Sequence, residues 1–432
     1  MLEIFSKFSH TIFKKIFGGY FNESGFITYV NNIQWFTIAK FFSLALSLLT
    51  TVVIARILGP EIFGTLNYII SIVGIFSVIA NLGLGSIIYK ELVLRKENRE
   101  EILGSAIFLN IVAGLVAMAT VFVSLLYIQE SREIEILIIL MSLSFLTQPL
   151  THLSFDFLKD SDGKYVTITQ IITSFISSVF KIVLMYYFAS IAYFIIVLIL
   201  ENIIAGALYI YQIVNIKKRS IRLKIKKEEV FLLFSFGLPL ALFSVFSEIY
   251  ARIDQIMLKH YLDIKAVGLY AAGVRLTEIW YMVPNIILGA LFPALANAKH
   301  DVQEYKKRFN SLLIVLSLLA VTISITVFFT RDFLIRVVYG TEFLATSPLL
   351  GVYIFSIIGF FISLLISQDL ILKNKKWALL FIPLSTALLN VVLNMYLIPL
   401  KGALGAALAT VISYNIIPLL FVMVMKFKVH KL

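Results

Sequence analysis

Three charged side chains follow one another in the stretch SEIYARIDQIMLKHY, residues 247–261. Glu248 and Arg252 are four residues apart, and Asp254 follows two residues later. The spacing of Glu248 and Arg252 places both side chains on one face of a helix, where they can form an ion pair. Arginine is also the side chain whose planar guanidinium group best matches the oxygens of a phosphate. The stretch therefore predicts a local ion pair or a site that binds an anion.

Other ionisable side chains also lie within strongly apolar sequence. Arg275 and Glu278 are three residues apart, which again suits neighbours on one helical face. The remaining members of this group are Lys40, Asp156, Lys181, Glu201 and Asp369. Near the centre of a membrane each charge costs about 2.5–3.5 kcal/mol, so such residues are kept only where partners, water or a function support them.

These charges divide by their predicted depth. Asp156, Lys181 and Asp369 lie close to predicted span ends, where charged side chains can reach towards water. Lys40, Arg252 and Arg275 lie deeper, and basic residues in spans usually face a bundle interior or a watery cavity. We therefore predict a cationic cavity formed by these three residues, which would bind an anion.

The composition indicates which solvent surrounds these charges. Hydrophobic residues make up 60% of the 432 residues and charged residues only 14%, whereas soluble domains contain about 25% charged residues. Twelve apolar segments are long enough to span a membrane. They are 31–56, 62–89, 101–128, 134–158, 165–188, 191–214, 230–259, 264–297, 309–330, 344–370, 377–398 and 403–427. The predicted fold class is an all-α integral membrane protein.

The basic residues of the connecting segments predict the orientation. Lys and Arg are far more abundant in the connections that share a side with the N-terminus, so both termini are expected to face the cytoplasm. The basic run KKRSIRLKIKK separates two sets of six spans. We predict an amphipathic cytoplasmic leader (1–29), an N-terminal six-helix bundle (30–214), a basic cytoplasmic linker (215–229) and a C-terminal six-helix bundle (230–432).

A weak repeat supports this division. ARILGPEIFGTLNY (55–68) aligns with KHYLDIKAVGLYAA (259–272), pairing Leu58 with Leu262 and Gly64 with Gly268. Both stretches join the first two spans of their half. Because six spans is an even number, the halves enter the membrane from the same side and form a parallel repeat. Two pseudo-symmetric bundles of this kind are expected to form a central cleft.

Several kinds of chemistry find no support. The chain has no Cys, so disulfides and cysteine metal sites are excluded, and its five His do not cluster. Phosphate-binding and metalloprotease motifs are absent from the sequence. We expect no enzyme activity, no metal, no cofactor and no nucleic-acid partner.

Four stretches carry a resemblance to a known family: ARILGPEIFG at 55–64, DQIML at 254–258, VGLYAAGVRLTE at 267–278 and FPALA at 292–296. They resemble the polysaccharide or O-antigen repeat-unit flippases of the multidrug/oligosaccharidyl-lipid/polysaccharide exporter superfamily. The resemblance implies a V-shaped pair of six-helix bundles and transport by alternating access. The substrate that it implies is an oligosaccharide joined through diphosphate to a polyprenyl lipid of the undecaprenyl type.

The resemblance also assigns roles to the charged residues. Lys40, Arg252 and Arg275 match the cationic cavity of the family. Asp254 and Glu278 are the supporting or coupling carboxylates that the resemblance implies. We add Glu248 to these carboxylates, and we add Lys181 and Asp369 as further candidate cavity residues. The coupling ion, if one is used, is H⁺ or Na⁺. Membrane lipids and other polysaccharide-assembly proteins are the further expected partners.

The function predicted from the sequence and the resemblance is therefore translocation of a lipid-linked repeat unit from the cytoplasmic to the outer leaflet of a bacterial inner membrane. The unit would serve O-antigen or capsule-type polysaccharide synthesis. A cation-coupled multidrug exporter of the same architecture is the nearest alternative, and it would require an acidic cleft. A membrane glycosyltransferase or polymerase, and a scramblase without ion coupling, are further alternatives.

Overall fold

The computed structural model describes residues 23–128, 130–373 and 375–429. Side chains are described within 42–421, apart from those of Gln129, Ala290, Pro293, His300, Asn374, Lys376 and Trp377. Residues 1–22 of the predicted leader, 1–29, lie outside the described residues, and so does the side chain of Lys40.

All regular elements within these described ranges are helices. Fourteen are used below: α1 (Glu23–Asn81), α2 (Gly85–Leu94), α3 (Arg99–Leu125), α4 (Arg132–Ser142), α5 (Gly163–Phe188), α6 (Ile191–Tyr211), α7 (Lys227–Tyr261), α8 (Ile264–Glu278), α9 (Met282–Asn297), α10 (Val302–Val338), α11 (Thr346–Tyr353), α12 (Ser356–Leu372), α13 (Lys376–Lys401) and α14 (Ala403–Val429). Short helical turns, including the 3₁₀ segment Gln148–Ser154, connect α4 with α5.

Ten helical segments of the described chain are long and apolar enough to cross a membrane. The first of them, Phe42–Leu94, covers the first predicted span from Phe42 onwards and the whole of the second. The eighth predicted span, 264–297, is not one of the ten; it consists of α8 and α9 with a 3₁₀ turn, Ile279–Tyr281, between them. The prediction of an all-α integral membrane fold is confirmed, and the chain is a multi-pass membrane protein.

The long helix α1 is interrupted at Gly59. This residue has φ +68° and ψ 173°, a conformation that L side chains rarely adopt and that glycine tolerates. Pro60 follows and cannot donate a backbone hydrogen bond to the preceding turn. The sequence LGP thus separates the two helical parts that the pattern of apolar residues predicts as separate spans.

The described contacts divide the chain into two compact units. The first unit consists of Met1–Thr50, Ile79–Glu130 and Ile139–Ala241, and the second of Thr51–Val78, Ser131–Ile138 and Leu242–Leu432. Each unit therefore contains segments from both predicted halves of the sequence. The division into two bundles at the linker 215–229 stays a prediction.

In the first unit, the basic linker lies against the start of α3. The backbone N–H of Lys224 donates to the carbonyl oxygen of Glu100 at 3.1 Å, and that of Lys226 donates to Ser105 Oγ at 3.0 Å. A Cβ atom on Gly104 would lie 2.4 Å from the carbonyl oxygen of Lys224, so only glycine allows this approach. The linker is thus held by its backbone as well as by its charges.

Asp160 holds the other end of the linker. It accepts hydrogen bonds from Lys217 Nζ at 2.5 Å and from Arg219 Nη1 at 2.6 Å. Burial by itself raises the pKa of Asp160, but these two cationic donors outweigh burial and lower the pKa below its usual value. The ion pairs therefore stabilise the folded chain at neutral pH, and this stabilisation is lost as the pH falls through the lowered pKa.

In the second unit, α1 and α8 cross at a pair of glycines. A Cβ atom on Gly64 would lie 2.0 Å from the carbonyl oxygen of Ile264, and one on Gly268 would lie 1.9 Å from that of Pro60. These are the two glycines that the sequence repeat aligns with each other. Small residues at a crossing allow the backbones of membrane helices to approach closely.

We predict that Gly268→Val destabilises the protein because the added side chain forces α1 and α8 apart. Overpacking of this kind costs about 1–3 kcal/mol, so the melting temperature in detergent, followed by tryptophan fluorescence, should fall by several degrees. Gly289→Val is the matched control because a Cβ atom on Gly289 has no neighbour within 4 Å among the described residues. Equal melting temperatures for the two variants would contradict the importance of the crossing.

Candidate functional site

Helix α7 carries Arg252 and Glu248 one turn apart. Arg252 Nε donates a hydrogen bond to Glu248 Oε2 at 2.8 Å, as the spacing of the two residues predicts. The side chain of Arg252 is 25% exposed, so part of the guanidinium group remains accessible. Within a span, this local partner supplies the compensating charge that lipid cannot supply.

Gly74 of α1 determines where the guanidinium group of Arg252 lies. A Cβ atom on Gly74 would be 2.6 Å from Arg252 Nε and 2.8 Å from its Cδ. The side chain of Arg252 thus packs directly on the α1 backbone, in space that only glycine leaves open. Sequence analysis did not predict this role, because a single glycine in an apolar span has no distinguishing pattern.

A second arginine is held in the same way at the end of α8. Arg275 Nη1 donates to Glu278 Oε2 at 3.0 Å, and the side chain of Arg275 is 32% exposed. Only Nε of Arg252 and Nη1 of Arg275 donate hydrogen bonds to other described residues. Both guanidinium groups therefore keep N–H groups that can donate to a ligand.

Five charged side chains of the predicted site are described, whereas that of Lys40 lies outside the described residues. The described members of the predicted site include two cations, Arg252 and Arg275, and three carboxylates, those of Glu248, Asp254 and Glu278. Among these five side chains, carboxylates outnumber cations, and each arginine has its own carboxylate within one helical turn. The assignment of these residues to substrate binding stays a prediction.

Asp254 has a different kind of environment from the other two carboxylates. It is 3% exposed and receives three hydrogen bonds from neutral side chains. Its Oδ2 accepts from the Tyr270 hydroxyl and from Thr410 Oγ1, the latter at 2.5 Å, and its Oδ1 accepts from Asn394 Nδ2 at 2.6 Å. The donors come from α8, α13 and α14, so the carboxylate joins four helices of the second unit.

The hydrogen bonds continue beyond Asp254. Asn394 Nδ2 also donates to Asn390 Oδ1 at 3.0 Å, and Asn390 Nδ2 donates to Thr410 Oγ1 at 3.3 Å. Asn394 Oδ1 is buried and accepts no hydrogen bond in the described structure. The network therefore contains a buried carboxylate and a spare oxygen, with no Lys or Arg bonded to Asp254 among the described residues.

Asn390, Asn394 and Thr410 were not predicted as site residues. A signal for two of them exists in the sequence, because Asn390 and Asn394 are four residues apart in an otherwise apolar span, NVVLN. Side chains at that spacing share a helical face. A search for polar residues four apart within a predicted span would therefore have found this network, whereas a search for charged residues alone finds only Asp254.

The predicted cations and carboxylates of the first unit are also paired. Lys181 Nζ on α5 lies 3.0 Å from Glu201 Oε2 on α6. Asp156 is buried and accepts from Arg99 Nε at 2.6 Å. Lys40 also belongs to this unit, but its side chain lies outside the described residues.

Asp369 lies in the second unit near the end of α12. Its Oδ1 is 2.7 Å from Lys373 Nζ, one turn further along the helix, and it also accepts from the Tyr305 hydroxyl. No described hydrogen bond or ion pair joins it to Arg252 or Arg275. Its participation in their site stays a prediction.

In the described part of the chain, no group of three or more Asp, Glu, His or Cys side chains is placed to hold a metal ion. Asp254 and its neutral neighbours offer a different donor set, composed of one carboxylate with amide and hydroxyl oxygens. Such hard oxygen donors suit an alkali cation or a proton better than a transition metal.

Paired charges and a buried carboxylate within a set of membrane spans are typical of transporters. The fold agrees, since it is that of the MOP-superfamily transporters. A multidrug resistance MATE transporter in an inward-facing conformation matches with a TM-score of 0.75 at 12% identity, covering 93% of this chain and 98% of that one. The lipid II flippase MurJ in an inward closed conformation matches with a TM-score of 0.73 at 19% identity, covering 90% and 87%.

The sequence places the chain more narrowly. A family model described as polysaccharide biosynthesis protein matches residues 29–299, and a model described as MatE matches residues 239–396. The first match covers more than half of the chain. The chain therefore belongs to the polysaccharide biosynthesis protein family, as the resemblance in the sequence predicted.

Two curated relatives show the range of similarity. The teichuronic acid biosynthesis protein TuaB of Bacillus subtilis is 23% identical over 285 residues, which are 64% of this chain and 57% of that protein. The succinoglycan biosynthesis transport protein ExoT of Rhizobium meliloti is 22% identical over 334 residues, which are 75% and 65%. The chain thus spans less than two thirds of the length of these relatives.

We predict that Thr410→Val destabilises the protein, because it removes a donor to Asp254 while keeping the side-chain shape. Leaving a buried carboxylate with one donor fewer costs about 1–3 kcal/mol. The unfolding temperature in detergent is the measurement. Thr326→Val is the matched control, since Thr326 is exposed and its hydroxyl donates only to the helix backbone. A loss no larger than that of the control would exclude a structural role for the Asp254 network.

Proposed function

We propose that this protein is a flippase that moves a polyprenyl-diphosphate-linked oligosaccharide from the cytoplasmic to the outer leaflet of the inner membrane by alternating access. The product would supply synthesis of an O-antigen or capsule-type polysaccharide. Family membership and relatives named for glycan biosynthesis support the proposal. The structural observation that carries it is the pair of guanidinium groups, at Arg252 and Arg275, each with N–H groups free for a ligand.

The chemistry of such a substrate explains why a protein is needed. Sugar hydroxyls and a charged diphosphate lose their water when they enter hydrocarbon, and neither finds a partner there. A polyprenyl chain, in contrast, is apolar and mixes with the lipid tails. A transporter must therefore present hydrogen-bond donors to the headgroup while the lipid tail stays in the membrane.

The arginines can meet this requirement although each of them is paired with a carboxylate. Each guanidinium group has five N–H donors and uses one of them on its carboxylate. Phosphate oxygens accept pairs of hydrogen bonds from the fork of an arginine. We infer that the diphosphate binds the remaining donors and that Glu248 and Glu278 hold the two guanidinium groups in place between transport cycles.

A cation-coupled multidrug exporter is the second candidate function, and one observation favours it. Carboxylates outnumber guanidinium groups among the described site residues, and an acidic lining suits cationic drugs. The MatE match over residues 239–396 covers the same helices. The two candidates differ in what accumulates when the arginines are removed, so one experiment separates them.

We predict that Arg275→Ala and Arg252→Ala each raise the amount of lipid-linked saccharide trapped in a deletion strain that is complemented with the variant. Loss of a charged hydrogen-bonding partner costs about 2–5 kcal/mol, which corresponds to at least about a tenfold loss of transport. Mass spectrometry of polyprenyl diphosphate lipids measures the accumulation. Gly74→Ala should act in the same direction while the protein still folds, since a methyl group there displaces only the flexible Arg252 side chain.

Arg336→Ala is the matched control, because Arg336 is an exposed arginine of the same unit at the end of α10. It should complement like the wild-type protein. If no polyprenyl diphosphate saccharide accumulates with any arginine variant and sensitivity to cationic drugs rises instead, the exporter hypothesis replaces the flippase hypothesis.

We also propose that Asp254 holds the coupling ion, H⁺ or Na⁺. The residues present fit either ion: the carboxylate has no described cationic partner, and Asn394 Oδ1 is a buried oxygen without a donor. Oxygen atoms of Thr410 and Asn390 lie in the same network. A proton would neutralise the carboxylate, and a sodium ion would be coordinated by these oxygens.

We predict that Asp254→Asn removes the response of transport to an ion gradient, because the amide can neither bind a proton nor supply a negative charge to Na⁺. The measurement uses proteoliposomes that contain lipid-linked saccharide extracted from the deletion strain. Outward exposure of the sugar is followed with an impermeant periodate oxidant, under a pH gradient or a Na⁺ gradient applied separately. Asp332→Asn, which changes an exposed aspartate of the same unit, should retain the response. A gradient response that survives in Asp254→Asn would rule out Asp254 as the coupling residue.

A further inference from the structure

A polar cavity lies wholly within the first unit, between the 3₁₀ segment Gln148–Ser154, α5 and α6. Its volume is about 350 Å³, which falls in the range of ligand pockets. A liquid water molecule occupies about 30 Å³, so the cavity could hold several water molecules. A group the size of one sugar ring fits in their place. The charged residues discussed in the preceding subsection lie in the other unit and do not line it.

Three polar side chains of this cavity are without partners. Ser154, Gln170 and Ser174 line it, and none of their side chains forms a hydrogen bond with another described residue. Gln170 and Ser174 lie one turn apart on α5; Gln170 is exposed and Ser174 is half-buried, so both can be reached from the cavity. An amide and two hydroxyls supply both donors and acceptors to a ligand.

Glu201 adds an acceptor without adding net charge. Its Oε2 accepts from Ser177 Oγ at 2.5 Å and from Lys181 Nζ at 3.0 Å, whereas Oε1 has no described donor. The carboxylate is thus neutralised by Lys181 on one side and open on the other. The lining of the cavity contains no Lys or Arg.

Aromatic rings complete the lining. Phe155 and Tyr209 face the same cavity as Gln170 and Glu201. The C–H faces of a pyranose ring pack on aromatic rings, while its hydroxyls form paired hydrogen bonds with amide and carboxylate groups. Planar polar side chains beside aromatic rings are therefore suited to a neutral sugar.

We propose that this cavity binds one uncharged pyranose unit of the saccharide, as a recognition site separate from the arginines; this inference rests on the proposed flippase function. A diphosphate is a poor ligand here because the lining offers no free cation. A cationic drug is disfavoured because Lys181 already neutralises Glu201. An acyl chain would leave the unpartnered amide and hydroxyl groups without hydrogen bonds.

The test is saturation-transfer difference NMR on the full-length protein in detergent. The probes are the methyl glycosides of glucose, galactose, mannose, rhamnose and N-acetylglucosamine, with methyl glucuronide as an anionic comparison. We expect transfer to the ring protons of at least one neutral glycoside and a weaker signal from the glucuronide. Ser174→Leu fills the cavity and should reduce the neutral signal at least about fivefold.

Ser363→Leu is the matched control, because it makes the same change in a smaller cavity, of about 160 Å³, in the second unit. Gln170→Met removes the hydrogen-bonding amide at similar size, and it decides the question if Ser174→Leu does not fold. The proposal is overturned if no neutral glycoside shows transfer, if the glucuronide is preferred, or if Ser363→Leu causes the same loss. Free glycosides need no lipid translocation, so this result is independent of lipid accumulation in the arginine variants.

Discussion

A membrane interior does not solvate charge, and this constraint accounts for the surroundings of Arg252, Arg275 and Asp254. Arg252 and Arg275 find carboxylates one turn away on their own helices. Such pairs form as soon as the helix forms, and they do not depend on how helices pack later. A guanidinium group held in this way can remain within the membrane through any rearrangement of the surrounding helices and still offer its other N–H groups to a ligand.

Asp254 represents the opposite solution. Its three donors are neutral and come from three other helices, so its environment exists only when α7, α8, α13 and α14 are packed together. The charge of this carboxylate is therefore linked to tertiary structure, whereas the charges of the two ion pairs are linked to secondary structure. A change in occupancy at Asp254 would alter the interactions among four helices, which is the property that ion coupling of a conformational change requires. Neither arginine pair has this property.

What the sequence predicts correctly follows the same distinction. The all-α membrane fold and the two arginine pairs are encoded by local patterns of residues, and the repeated stretch aligns Gly64 with Gly268 without predicting that they lie at a helix crossing. The partners of Asp254 are not, because Asn394 and Thr410 lie 140 and 156 residues further along the chain. The cationic cavity stays a prediction, because the side chain of Lys40 lies outside the described residues and each of the two described arginines has a carboxylate beside it. Gly74 was missed because its role depends on which side chain packs on it.

The two proposed binding regions also differ in a way that matches the two chemical parts of a lipid-linked saccharide. A diphosphate is recognised by charge, and the cost of burying the protein's own charges requires counter-ions nearby, as Glu248 and Glu278 provide. A sugar ring is recognised by many weak hydrogen bonds, and these require side chains that are unpartnered but uncharged, as Ser154, Gln170 and Ser174 are. An unpartnered charge in the polar cavity would attract phosphate or counter-ions and would compete with the sugar. If the cavity binds a sugar as proposed, the ion pair of Lys181 with Glu201 would prevent this competition in addition to stabilising the fold.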